Sequence, residues 1–200
     1  MVDTVRTEAE LQAIFADGQG PASITPQDMR DFTVSSRYLA NQGWDFHLDG
    51  TYTVGSPRTI LAAARTQMTI DGAGGDFGHP ETGHGGAGHF WDVTTNKLIP
   101  NGLNNFGMVR VAMSAESTVA SQNLFEFELD VGGGSFPIIY AQTAVFAKGA
   151  GVTQHFNFVI PLFAGSDFQT NGGTFYITPQ ADATFWDHAI TSVQIYGAAP

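Results

Sequence analysis

The stretch Leu124-Phe125-Glu126-Phe127-Glu128-Leu129-Asp130-Val131 decides the fold. Phe125, Phe127, Leu129 and Val131 alternate strictly with Glu126, Glu128 and Asp130. Successive side chains of a strand leave opposite faces of its sheet, so this period of two predicts a strand half-buried on one face. Gly132-Gly133-Gly134 interrupts it. A second run, Phe136 to Ala147, ends in the turn Lys148-Gly149-Ala150-Gly151. A third, Val152 to Phe163, carries Phe156, Phe158, Ile160 and Leu162 at every second position. Asn171-Gly172-Gly173 is a tight-turn signal ahead of Thr174-Phe175-Tyr176-Ile177-Thr178, and Ala189 to Tyr196 is the last run. Upstream, Phe106 to Met113 sets Met108, Arg110 and Ala112 against Val109, Val111 and Met113. Strands of this length with glycine turns between them predict a mainly β fold, an antiparallel β-sandwich or jelly roll.

Three of these strings, with a lead-in upstream, carry a resemblance. Phe127-Glu128-Leu129-Asp130-Val131-Gly132-Gly133, Phe146-Ala147-Lys148-Gly149-Ala150-Gly151, the run Asn171 to Pro179, and Phe90-Trp91-Asp92-Val93-Thr94-Thr95-Asn96-Lys97-Leu98-Ile99-Pro100 together resemble a C-terminal β-module of tailed-bacteriophage virion accessory proteins, of the fibre and head-decoration kind. Ile24-Thr25-Pro26-Gln27-Asp28-Met29-Arg30-Asp31-Phe32 is similar to short N-terminal segments of such proteins. The resemblance spans residues 20–36 and 90–197. It implies a structural role on a virion and no catalytic residues.

Toward the N-terminus the period changes. Thr7-Glu8-Ala9-Glu10 fits a capping box, in which the threonine hydroxyl and the glutamate carboxylate satisfy each other's backbone N–H groups. Leu11, Ile14 and Phe15 then form a helical stripe that Asp17-Gly18 stops. Thr25-Pro26 signals a second helix, with Met29 and Phe32 on one face. Residues 1–43 are therefore expected to be a helical anchoring segment and residues 44–200 the β-sandwich. The helices either pack on their own β-domain or, being too small to make a core, cover a neighbouring subunit or capsid surface. Leu11, Phe15, Met29 and Phe32 are the expected attachment residues. Trp44, Phe46 and Leu48 alternate with Asp45, His47 and Asp49, and Asp49-Gly50 is a hairpin signal with Thr51 to Val54 returning. Thr66 to Ile70 reads as a strand. Residues 71–92 hold glycines at 72, 74, 75, 78, 83, 85, 86 and 88, and their conformation has no period to read; a long glycine-rich loop packed closely against the sandwich or a neighbour is expected.

Composition bounds the function classes. Two hundred residues, 42% hydrophobic and only 14% charged, make a globular chain with a neutral-polar surface. A net charge of −11 argues against a nucleic-acid partner and against anionic membrane surfaces. The absence of cysteine rules out disulfides and thiolate metal sites, and fits synthesis in a reducing bacterial cytoplasm. The opening Met1-Val2-Asp3-Thr4-Val5-Arg6 lacks the apolar core of a signal peptide, and no apolar run is long enough to cross a membrane as a helix.

Few clusters suggest chemistry. His79, Glu81, His84 and His89 are of metal-ligating type, but no His-Glu-x-x-His helix holds them and the backbone is glycine-rich, so no metal and no cofactor is expected. Glu126, Glu128 and Asp130 share a strand face, a spacing that would suit the two carboxylates of a glycosidase, although the alternation fits a solvated face better. Asp187-His188 lacks a Gly-x-Ser-x-Gly elbow, and neighbours on a strand face opposite ways, so a triad is rejected. Gly132-Gly133-Gly134 has no Gly-Lys-Ser/Thr to make a phosphate loop. Trp91, Trp186, Tyr140 and Tyr196 suit either a core or a sugar-stacking platform. The expectation is a non-enzymatic structural protein on the surface of a tailed-phage virion, a homotrimer decorating the capsid exterior through the major capsid protein or another virion protein. A tail or collar fibre protein that binds host glycans is the alternative.

Overall fold

A computed structural model describes residues 6, 8–15, 24–39, 41–80, 90–100, 106–133 and 137–195. Its elements are α1 (Glu8–Ile14), α2 (Pro26–Leu39), β1 (Asn41–Leu48), β2 (Arg58–Ile60), β3 (Thr66–Gln67), β4 (Gly75–Pro80), β5 (Trp91–Asp92), β6 (Lys97–Leu98), β7 (Phe106–Ser117), β8 (Leu124–Asp130), β9 (Ile138–Val145), β10 (Gln154–Phe163), α3 (Ser166–Asn171), β11 (Thr174–Pro179) and β12 (Ala183–Ile195). The fold is mainly β with short N-terminal helices, as the alternation predicts. One sheet runs β10-β7-β12-β1-β4, with β2 also pairing β12; the other runs β3-β11-β8-β9. Every pairing among the described strands is antiparallel. The two sheets form a jelly-roll-like sandwich, and β5 and β6 make a separate small hairpin.

The deciding strand behaves as its sequence requires. Phe125, Phe127 and Leu129 on β8 are fully buried. They meet Phe158 and Ile160 of β10, Val109 and Val111 of β7, Phe175 and Ile177 of β11 and Phe185 of β12 in one core. Phe125 lies edge-on to both Phe156 and Phe185, at 4.9 and 5.3 Å between ring centroids, an arrangement the aromatic quadrupole favours.

Four local expectations are corrected. Asp49-Gly50 does not turn a hairpin: β1 pairs with β12 and β4, and residues 51–56 form turns closed by a Thr53–Ser56 bridge. The Asp49 carboxylate accepts N–H groups from Tyr52 and Asp71, which caps a loop where a returning strand was expected. Gly50 packs so closely on residues 73 and 74 that a Cβ would stand 2.8 Å from Ala73 Cβ. The glycine-rich segment is partly strand, since Gly75–Pro80 lies along β1 with Phe46 opposite Phe77. Gly74 brings it against Asp49, where a Cβ would sit 2.7 Å from the Asp49 carbonyl oxygen. The strand expected over Thr66 to Ile70 is only Thr66–Gln67, and the Asn171-Gly172-Gly173 turn closes a helix, α3, that the sequence reading lacked.

Thr25 caps α2 as its residue type predicts. Its hydroxyl accepts the Asp28 N–H at 3.2 Å, and its own N–H and hydroxyl donate to Asp28 Oδ2 at 2.8 and 2.6 Å. These bonds hold the Asp28 carboxyl below its ordinary range. Thr7, the expected cap of α1, lies outside the described residues.

Candidate functional site

The face of β1 turned to solvent is its apolar one. Trp44 is 41% exposed, and Phe46 and Leu48 are half-buried, whereas Asp45, His47 and Asp49 are buried. Alternation fixes that two faces differ but not which one is inside. The inward polar set is stabilised by groups distant in sequence. His47 Nε2 lies 2.7 Å from Asp45 Oδ2 and His47 Nδ1 lies 3.3 Å from Asp76 Oδ1, so the ring stands between two carboxylates. Asp45 Oδ2 also accepts the Trp91 N–H at 3.3 Å. Burial pushes the Asp49 carboxyl up. Asp71 is held down at about 2 by donation from the Thr51 hydroxyl and the N–H groups of Gly50 and Ala73, which outweighs its own desolvation.

Across the six-stranded sheet the same outward face carries Pro161 on β10, Met108 on β7, Val193 on β12 and Trp44 on β1 in one register row. Met108 is 48% exposed and Val193 38%, with Val159 and Phe163 beside them also exposed. Arg110, in the next row, is tied to Asn157 Oδ1 through Nε and Nη2 at 3.1 and 2.6 Å. The result is an apolar, weakly charged surface on a chain of net charge −11.

The helical attachment residues divide. Leu11 is buried; Phe15 is half-buried and meets Phe32 edge-on at 5.4 Å. Met29 and Phe32 are 52% and 44% exposed, while Asp31 on the same helix is fully buried and accepts from Arg6 Nε at 2.8 Å. Like β1, α2 turns apolar side chains outward and a carboxylate inward.

The carboxylate strand is not simply solvated. Glu126 is exposed, but Glu128 is buried, and Arg65 reaches it through Nε at 2.8 Å and Asp130 through Nη2 at 2.7 Å. The guanidinium carbon stands 3.7 Å from the centre of the Tyr176 ring. One cation thus holds both carboxylates on a stacked platform, a poor arrangement for a proton-shuttling pair. Arg65 had no role in the sequence reading; the clamp spans more than sixty positions, so no local pattern announces it.

His188 is buried, and its Nδ1 faces the Thr69 carbonyl at 3.1 Å. A carbonyl only accepts, so Nδ1 carries the proton. Burial pulls this imidazole down to about 4. Asp187 has φ of 51° within a bulge of β12, so strict alternation fails there, yet no nucleophile joins the pair among the described residues. Of the candidate platform aromatics, Trp91 and Trp186 are core residues, and Trp91 Nε1–H donates to the Ile70 carbonyl at 2.9 Å. Tyr140 is half-buried; Tyr196 lies outside the described residues. Glu81, His84 and His89 also lie outside them, and of His79 only the backbone, paired with Trp44, is described. Among the described residues Asp45, His47 and Asp76 are the one group whose potential ligand atoms converge, all within 4.8 Å of one another.

These features define a jelly-roll-like β-sandwich with an outward apolar sheet face. No protein-family model matches the chain, and no curated protein matches it by sequence. Among solved structures it is similar to the Eiger TNF of S. frugiperda, with a TM-score of 0.46 and 10% identity over 80% of this chain and 96% of that one. It is similar to the PRD1 vertex protein P5, with a TM-score of 0.40 and 14% identity over 78% and 99%. A chain of Broad Bean Stain Virus matches with a TM-score of 0.25 and 9% identity over 78% and 85%. At these identities the likeness concerns the fold alone.

Proposed function

We propose that the protein is a non-enzymatic structural component of a tailed-phage virion, exposed on the particle surface, that assembles with copies of itself as a trimer. The observation that carries the reading is the orientation of β1: Trp44 faces out in register with Val193 and Met108. Met108, Val193, Val159 and Phe163 carry that outward apolar face across β7, β12 and β10, and an exposed apolar patch of this kind marks an interaction surface. Copies of the chain are the occupant argued for. With a charge of −11 they repel wherever acidic surface meets acidic surface, and this weakly charged sheet face is where approach is least opposed. The resemblance of residues 20–36 and 90–197 to virion accessory proteins supplies the setting. In it α1 and α2 attach to the major capsid protein or another virion protein, and the sandwich projects outward. Placement on a tail or collar fibre uses the same surfaces, and imaging labelled protein on intact particles by electron microscopy separates the two sites.

Light scattering on the purified chain tests the assembly. A trimer mass is expected, falling to the monomer mass when Met108→Glu and Val193→Glu are combined while circular dichroism is unchanged. A stable monomer of the unaltered chain at micromolar concentration overturns the reading.

A further inference from the structure

We propose that a polar cleft on the opposite sheet binds a neutral saccharide. The cleft, about 300 Å³, lies where the outer face of the four-stranded sheet meets the β5–β6 hairpin and the end of α3. Gln67, Asp130, Thr174 and Tyr176 come from the sheet, Lys97 from the hairpin and Asn171 from the helix. That volume is at the lower end of small-molecule sites and suits one or two sugar rings. The apolar hollow beside Phe90 and Phe168, by contrast, encloses only about 30 Å³.

The walls are fixed before any ligand arrives. Leu98 and Gly173 exchange both backbone hydrogen bonds at 2.8 Å, which ties the hairpin to the start of β11. Gln67 Nε2 donates to the carbonyls of Thr95 and Asn96 at 3.3 Å, and Lys97 Nζ donates to the Asn171 carbonyl at 3.1 Å. Gly172, with φ of 71°, lets the chain pass within reach of the Leu98 carbonyl, 3.0 Å from where a Cβ would sit. A site whose walls are already bonded together loses little freedom on binding.

The chemistry selects the ligand. Among the residues that line it, Lys97 and Asp130 carry opposite charges, so the cleft has no net charge to recruit a phosphate or a metal ion. Its lining residues supply both donors and acceptors: two carboxamides, two hydroxyls, a carboxylate, an ammonium and a phenol. A ring bearing several hydroxyls, each donor and acceptor at once, matches that mixture. An extended peptide fits less well, because the floor is mostly the face of a sheet and its edge strand β3 spans only Thr66–Gln67, too short to template a peptide strand. This cleft and the apolar face of the other sheet are separate surfaces, so occupancy here is independent of self-assembly.

Saturation-transfer NMR on the full chain, with glucose, galactose, N-acetylglucosamine and rhamnose as probes and inorganic phosphate as competitor, tests the site. Transfer to at least one sugar is expected, unaffected by phosphate. Asn171→Ala and Lys97→Met should each weaken it roughly tenfold or more, whereas Glu126→Gln, on the same face beyond the cleft, should not. If Asn171→Ala fails to fold, Lys97→Met carries the comparison. No transfer to any of the four sugars, displacement by phosphate, or undiminished binding by the folded variants overturns the proposal. A monomeric chain that binds sugar would overturn only the assembly reading.

Discussion

Phe127 stacks on Phe158 across the sandwich, with ring centroids 4.2 Å apart and planes 18° from parallel. Phe127 belongs to the four-stranded sheet and Phe158 to the six-stranded one, so this contact joins the layers. Phe175 continues the stack at 5.4 Å and 12°. Phe127→Ala removes the middle ring of three and leaves a cavity that flanking strands cannot close. A loss of about 3–5 kcal/mol in unfolding free energy is expected. Urea denaturation of the variant against the unaltered chain measures it, and a loss below about 1 kcal/mol would mean that the stack does not hold the layers.

Arg65 offers a second measurement. Glu128 is buried and its partner is half in solvent, at 39% side-chain exposure, so the pair is worth less than a fully buried one. Arg65→Met strands the Glu128 carboxylate, and a cost of about 1–3 kcal/mol is expected. Arg65→Met with Glu128→Gln removes the stranded charge and should recover most of it. Thermal melts of the two single variants and the double close the cycle, and strictly additive losses would show that the residues do not interact.

The sequence revealed the core of the sandwich more readily than its surfaces. On β8 one face carries Phe125, Phe127 and Leu129 and the other carries Glu126, Glu128 and Asp130 after Leu124, so only one assignment of inside and outside is physically sensible. On β1 both faces needed weighing. The polar side is inside because Asp71, Asp76 and the Trp91 N–H meet it there, and all three come from the segment whose glycines erase any period. β4 was illegible for the same reason: Gly75 and Gly78 interrupt the alternation of a six-residue strand. Helix α3 spans six residues, less than two turns, too short for a 3.6-residue stripe to declare itself. The cleft draws Gln67, Lys97, Asp130 and Asn171 from four elements, so its residues have no common spacing. Glycine-rich backbone packed against Asp49 was anticipated in kind, since only a residue without Cβ fits at Gly74.

His188 gives the fold an acid limit. Its neutral form is preferred in the fold, where the pKa is about 4, while the unfolded chain takes up a proton near 6.5. The folded pKa is depressed, so the unfolded state binds more protons between these values and stability drops as the pH is lowered through that window. The contribution is complete above pH 6.5 and lost progressively toward pH 4, on the order of 3 kcal/mol in all. Asp71, with a carboxyl near 2, adds a loss only below its unfolded value of 3.8. Urea midpoints measured from pH 7 to pH 4 should decline for the unaltered chain and decline less for His188→Gln. Equal slopes would assign the acid sensitivity to other groups.

Met29 separates attachment from folding. It is 52% exposed on α2, one turn from Phe32, whose ring also faces out while touching Phe15. Met29→Asp therefore buries no charge in the free chain, and its melting free energy should stay within about 0.5 kcal/mol of the unaltered protein. Phe32→Asp breaks the Phe15 contact as well, so its effect mixes the two roles. If α2 attaches the protein to a particle, Met29 becomes buried there, and an unpaired aspartate in that interface costs several kcal/mol. Occupancy on purified particles at a fixed protein concentration should then fall for Met29→Asp to the level of a chain lacking residues 1–36, with the sandwich folded in both. Full occupancy by either protein would remove α2 from the attachment surface and leave the apolar face of the six-stranded sheet as the contact to examine next.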